Sequence, residues 1–406
     1  MSPSESRPLR FVFLSSNRTP WGGSEELWSA AAAELAAAGH ALTVYKARID
    51  PRTPRVQRLH ALGVRTHDFV WIPWVPLLLT KVLVRYADPL MVFQQVARLW
   101  LGLRRFRPDL VVLSQGGNHD GHLMGAILRR MKLPYVVISQ KASDFYWPED
   151  RRLPRLRAMY AEAAAAYFVS EHNLRLTEEQ LATSLPRASV VRNPVLVPWE
   201  PRNDWPDEND GLRLACVGRL FPAEKGQDLL IRVLAGDKWR SRKLSLTFYG
   251  EGPQREGLAS MAAFLGLTNV TFAGFTGDVS SIWTNHHALF LGSRSEGLPL
   301  VVVEAMLSGR VPIVTAVAGA EVIHDDVHGF IASAPTEDAL NEALERAWQR
   351  RGEWRAIGAA ASAHIRTLVP SNPAAHLAET LVRVAEGAGE RRVETSTRIR
   401  EAARES

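Results

Sequence analysis

The 406-residue chain holds one cysteine, Cys216, so an intrachain disulfide is excluded and a reducing compartment is permitted. Long apolar runs are missing too. No stretch reaches the roughly 18 uninterrupted apolar residues of a membrane-spanning helix. The opening "MSPSESRPLR" is polar and leads directly into "FVFLSS", so no secretory signal is expected. An excess of one charge sign is nearly absent: Lys and Arg exceed Asp and Glu by only 6, enough to favour anions such as phosphates or acidic lipid. What is present is a 46% apolar, 23% charged composition, the balance of a soluble globular protein, and a length that predicts two cores rather than one.

The pattern of apolar residues predicts an α/β fold. Strand-like "LRFVFLSS", "HALTVYKA", "PDLVVLSQ" and "PYVVISQ" alternate with helical segments, among them the alanine-rich "SEELWSAAAAELAAAG" ending at Gly39 and "HLMGAILRRMK". The alternation resumes with "LRLACVGRL", "KLSLTFYGEG", "VTFAGF", "HALFLGS" and "VPIVTAV", as in a doubly wound parallel sheet. Cys216 lies inside the first of these and reads as a buried small side chain. Between the halves, residues 193–211 carry four prolines and several acids and read as a linker. The expected organisation is a first domain over 1–195, a second over 196–365, a C-terminal helix over 366–388 and a flexible tail over 389–406. Residues 69–107 form an insertion with Trp71, Trp74 and Trp100 among aliphatics, ending in Arg104, Arg105 and Arg107. It reads either as a helical cover for the first core or as a surface that dips into a bilayer beside anionic headgroups.

"SRSEGLPLVVVEAM", residues 293–306, places Glu304 in an apolar run and Glu296 eight positions before it. Pro299 falls where a first helical position is expected, and Gly309 ends the helix. The amides from Gly297 to Leu300 would then face outward at a positive dipole end, which suits a phosphate. A buried Glu304 carboxylate needs donors: paired sugar hydroxyls, or a nearby arginine or lysine. Glu296 either serves a ligand or complements the helix dipole. Upstream, Arg219 and Lys225 stand six residues apart in the glycine-bearing loop that begins at Gly218, placed either to hold phosphate oxygens or as an ordinary surface pair.

The segment from Ser293 through "AGAEVIHDDVHGFIA", together with "CVGRLFPAEKGQDLLI", "YGEGP" and "VTFAGF", resembles the nucleotide-sugar half of the family 4 glycosyltransferases (glycosyl transferases group 1), retaining enzymes of GT-B fold. The likeness runs over about residues 190–385; the departure is Ala320, where a second glycine is usual. It implies two Rossmann-like domains facing a central cleft, with the last helix crossing back to the first domain. Glu296 is then the contact to the donor sugar and Glu304 the contact to the nucleotide ribose. Arg219 and Lys225 hold the diphosphate, and Gly297, Leu298 and Pro299 form the loop on its side. In the first half "WGGSEE" resembles the family's glycine-rich loop, with Gly22 and Gly23, and "SQGGNHDGHLMG" holds its active-site histidine, His119 in preference to His122. A structural histidine is the alternative there.

The implied activity is transfer of a hexose-type sugar from a UDP- or GDP-sugar to a saccharide or lipid-linked acceptor, with retention of configuration and domain closure around the donor. No Asp-x-Asp occurs in the chain, so no metal and no cofactor beyond the co-substrate is expected. The leaving diphosphate is instead met by Arg219, Lys225 and the amides near Gly297. No nucleic acid is expected as a partner, and the expected location is cytoplasmic, peripheral on the inner membrane face. The rival readings are an inactive nucleotide-binding scaffold at a membrane surface and a nucleotide-sugar epimerase. A dinucleotide oxidoreductase is disfavoured, since "GEGPQREG" has the wrong glycine spacing.

Overall fold

The computed structural model describes residues 7–17, 21–68, 88–201 and 204–402, with side chains omitted for 88–95 and 391–402. The chain divides into two compact units, one of residues 1–169, 173–192 and 372–406, the other of 170–172 and 193–371.

The first unit is built on a seven-stranded parallel sheet in the order β3-β2-β1-β4-β5-β6-β7. Its strands are β1 (Arg10–Ser15), β2 (Ala41–Lys46), β3 (Arg65–Asp68), β4 (Leu110–Gln115), β5 (Tyr135–Ser139), β6 (Ala165–Phe168) and β7 (Ala188–Val190). β4 is buried at every position, because helices cover both faces of a parallel sheet and leave no side for water. One face carries the helix Gly23–Ala37, whose Leu27, Trp28, Ala31 and Leu35 are fully covered. Its run of alanines lets the last helix, Pro373–Ala402, lie close, with Leu377, Leu381 and Ala385 in the same core as Trp28 and Phe13. Each buried leucine there contributes about 1.5–3 kcal/mol.

That last helix extends to Ala402, into the segment from residue 389 that was expected as a tail. The sequence "ERRVETSTRIREA" contains no proline, and Glu394 stands four residues before Arg398, a spacing that supports a helix. Within the expected insertion, residues 69–87, with Trp71 and Trp74, lie outside the described residues. The remainder forms the helix Asp88–Phe106, in which Leu99 and Leu103 are buried, Leu101 is exposed and the Arg104 guanidinium lies 4.1 Å over the Trp100 ring.

The second unit carries a six-stranded parallel sheet in the order β10-β9-β8-β11-β12-β13. Its strands are β8 (Leu212–Val217), β9 (Leu244–Tyr249), β10 (Val270–Gly274), β11 (Ala288–Leu291), β12 (Val311–Thr315) and β13 (Phe330–Ala332). Segment 193–211 has no helix or strand among its described residues and is docked rather than free. Val197 is buried, and the carbonyl of Asp204 accepts a bond of 2.7 Å from the buried Arg310. In both sheets the winding direction reverses beside the first strand, between β1 and β4 and between β8 and β11. Such switch points open a crevice at the carboxyl ends of the strands, where ligands bind in open α/β sheets.

Candidate active site

The residues singled out in the second half all follow strands that flank its switch point: Gly218 and Arg219 after β8, and Glu296 to Pro299 after β11. A short helix, Pro222–Lys225, closes the first loop, and Gly226 follows it in a left-handed conformation (φ 60°). A Cβ on Gly226 would stand 1.9 Å from the Gly292 carbonyl oxygen, so the two loops touch backbone to backbone. They are also laced by polar bonds. The amides of Arg294 and Ser295 donate to the Glu224 carbonyl at 2.7 and 3.3 Å. The Arg294 guanidinium grips Asp228 with two bonds of 2.8 and 2.9 Å.

This lacing sets Lys225 against Glu296. The Lys225 ammonium donates to Glu296 Oε1 at 2.5 Å, and Ser293 Oγ donates to the same oxygen at 2.7 Å. Glu296 is nearly buried, whereas Lys225 keeps 24% of its side-chain exposure. Both charges act on Cys216, whose thiol is pushed up to about 12, chiefly by burial. Its reactivity is suppressed accordingly. Arg219 is half exposed, bonded at 3.1 Å to Glu224. The sequence analysis missed Glu224, Asp228, Ser293 and Arg294. Glu224 and Asp228 stand in the first turns of short helices and Ser293 and Arg294 in a loop, with no spacing that distinguishes them from solvated residues.

Glu304 lies in the helix Leu300–Leu307 (the Leu300 helix), capped by Pro299, so the proline stands one position before its expected place. Three valines notwithstanding, the segment is helical, because the connection from β11 to the parallel β12 needs a crossover. Glu304 is 3% exposed and accepts one bond, 3.0 Å, from the Leu196 amide. Among the described residues it forms no ion pair with a lysine, arginine or histidine. Burial therefore raises its carboxyl to about 7, with the Leu196 bond opposing the shift. Gly319, after β12, is left-handed (φ 92°), and a Cβ there would stand 2.3 Å from Pro299 Cδ. Ala320 opens a 3-10 turn and avoids positive φ, so the missing second glycine has no steric consequence.

In the first unit, Gly22 caps the Gly23–Ala37 helix in an extended conformation, and its amide donates to Glu25 Oε2 at 3.1 Å. Glu25 is fully buried beside Lys46, 3.5 Å away. His119 follows β4, half-buried, with Nε2 3.0 Å from Gln180 Oε1. Burial is the main cause of its lowered pKa, so the ring is neutral near pH 7. The His122 ring bonds to the His119 backbone and opens the helix His122–Arg130. Gly22 and His119 thus follow β1 and β4, the two strands at this unit's switch point.

Two family models match the chain: a glycosyl transferase 4-like domain over residues 22–196 and a glycosyl transferases group 1 domain over 211–350. A GDP-mannose-dependent α-(1-6)-phosphatidylinositol monomannoside mannosyltransferase of Mycolicibacterium smegmatis is 29% identical over 250 residues, covering 55% of this chain and 63% of that protein. A sulfoquinovosyl transferase of Arabidopsis thaliana is 36% identical over 116 residues, covering 28% and 21%. The matched stretches span less than two thirds of these relatives' lengths. Among solved structures, Anabaena HepE in complex with UDP superposes with a TM-score of 0.72 at 17% identity, covering 92% of this chain and all of that one. Sucrose-phosphate synthase of Thermosynechococcus elongatus gives 0.71 at 16% identity, covering 94% of this chain and 100% of that one. With two parallel-sheet units and both domain models matched in order, the chain belongs to the glycosyl transferases of group 1, with the GT-B fold.

Proposed function

We propose that the protein transfers a hexose-type sugar from a nucleoside-diphosphate sugar to a saccharide or lipid-linked acceptor, retaining the anomeric configuration and using no metal. The observation that carries this reading is Glu304: a buried carboxylate with one backbone donor and no cation bound to it among the described residues. Two adjacent ribose hydroxyls would supply donors that burial has denied it. Arg219, Lys225 and the amides from Gly297 to Leu300 meet the diphosphate, whose negative charge grows as the bond from the anomeric carbon to its oxygen breaks. Glu296, through Oε2, the oxygen not bonded to Lys225 or Ser293, orients a sugar hydroxyl. The acceptor oxygen bonds to the anomeric carbon on the face from which the diphosphate leaves, and its proton passes to the departing phosphate. His119, neutral at pH 7, is assigned a hydrogen bond to the donor sugar.

A lipid-linked acceptor, and with it a peripheral membrane location, is supported by Phe145, Tyr146 and Trp147, each more than 60% exposed. No helix among the described residues is long and apolar enough to cross a membrane.

The deciding experiment is thermal-shift titration with UDP, GDP and ADP, followed by incubation with the sugars of the preferred base. A clear base preference, sugar transfer that persists in chelator, and an NMR coupling constant showing the donor's own anomeric configuration are expected. Nucleotide binding with neither transfer nor donor hydrolysis across a broad acceptor panel would instead make this a nucleotide-binding scaffold.

A further inference from the structure

Three histidines of the second unit, none of them part of the donor site, converge on one point. His324 and His328 lie between β12 and β13, and His364 lies on the helix Trp354–Leu368. Their ligating nitrogens all fall within 4.8 Å of one another. The His328 amide donates to the His324 carbonyl at 2.9 Å, a single helical turn that puts both rings on one side. The turn is held rigidly. Asp325 Oδ1 accepts from the Ile331 amide at 2.7 Å, and Arg346 binds both Asp325 and Asp326.

We propose that His324, His328 and His364 form a three-imidazole site for a divalent transition-metal ion, zinc being the reference case. Two observations point to a ligand rather than to a packed aromatic cluster. His328 is 9% exposed, yet its Nδ1 has no hydrogen-bond partner, and His364 Nε2 is likewise buried without one. Two buried ring nitrogens left unsatisfied side by side are unusual in a folded protein. In addition, the Val322 backbone lies against the His364 ring and orients it, as contacts around metal-ligating imidazoles do.

Tetrahedral zinc with nitrogens at about 2.0–2.1 Å requires them about 3.3 Å apart. The rings of His328 and His364 now stack at 4.0 Å, so binding would turn them about their Cβ–Cγ bonds until the lone pairs converge. Because His324 is exposed, the fourth position faces water. The ion would tie the turn before β13 to the Trp354 helix, which also grips the Leu300 helix through Ser362 Oγ and the Leu307 carbonyl at 2.9 Å.

The test uses tag-free full-length protein, stripped with chelator and titrated with zinc chloride by calorimetry and with cobalt(II) by visible absorption. The expected result is one saturable equivalent, cobalt bands typical of four-coordinate nitrogen ligation, and a rise in Tm. His324→Ala, an exposed position that should not disturb folding, and His364→Gln should each weaken binding at least about tenfold. Apo Tm values of the variants equal to wild type would confirm that folding is intact. Absence of a one-equivalent event, or variants that bind like wild type, would overturn the proposal and leave three stacked imidazoles.

Discussion

Lys225 and Glu296, 71 residues apart in sequence, share a 2.5 Å bond across two loops whose backbones touch at Gly226 and Gly292. Each is therefore the other's neutralising partner, and under the proposed function a diphosphate would compete with Glu296 for the ammonium. Glu296→Gln removes that competitor together with the sugar contact proposed for it. We expect turnover to fall about 100-fold, the scale of losing one transition-state hydrogen bond, with donor KM changed much less. In a double-mutant cycle, Lys225→Ala on the Glu296→Gln background should cost less than Lys225→Ala alone, measured as kcat/KM. Additive losses would mean that the observed bond plays no part in catalysis.

Glu304 bears on ligand affinity in a pH-dependent way. With its carboxyl at about 7, roughly a tenth is ionised at pH 6 and nine tenths at pH 8. If ribose hydroxyls bind the ionised form, nucleotide affinity should rise about tenfold over that interval. Calorimetric titration of wild type and Glu304→Gln across pH 6–8 checks this: the variant should lose the trend. Glu304→Ala should bind about 10- to 100-fold more weakly than wild type at pH 8, the scale of one or two hydrogen bonds to a charge. Undiminished affinity in that variant would remove the assigned role.

The same residue makes folding depend on pH. Between pH 4.5 and about 7 the unfolded chain has released the Glu304 proton while the folded chain still holds it. The unfolded state binds fewer protons there, so stability must fall as pH rises through this window, by about 3 kcal/mol in total. This is opposite in sign to a carboxylate held by a cation. Urea unfolding of wild type and Glu304→Gln at pH 5 and pH 7.5 measures it, and the variant should have gained on wild type at the higher pH.

The sequence made the central strands legible because each is a short, nearly continuous apolar run: all nine quoted segments are strands, from β1 to β12. Strands β3 and β6 were not legible. β3 is "RTHD" and β6 is "AAYF", too polar or too alanine-rich to stand out, and they are strands because a neighbour already supplies the hydrogen-bond ladder. Likewise the spacing of Glu296 and Glu304 singled out the two carboxylates, but only the fold shows that Lys225 holds Glu296 while no cation among the described residues holds Glu304. The histidines at 324, 328 and 364 gave no signal either, since 36 residues separate the last from the nearest of the others.

Gly226 supplies the sharpest test of how these loops are joined. Its φ of 60° is poorly suited to any residue with a side chain, and a Cβ would stand 1.9 Å from the Gly292 oxygen, so Gly226→Ala must both strain the backbone and push the loops apart. A loss of at least about 2 kcal/mol is expected. Gly257, inside the helix Arg255–Phe264 with nothing within 4 Å, is the control: Gly257→Ala should be neutral or stabilising by up to about 1 kcal/mol. Because Lys225 precedes Gly226 directly, the separation also withdraws its ammonium from Glu296. Activity of Gly226→Ala should therefore drop further than its folded fraction accounts for, measured well below its Tm. A variant whose activity merely tracks the folded fraction would show that loop closure at Gly226 serves stability and not the alignment of Lys225.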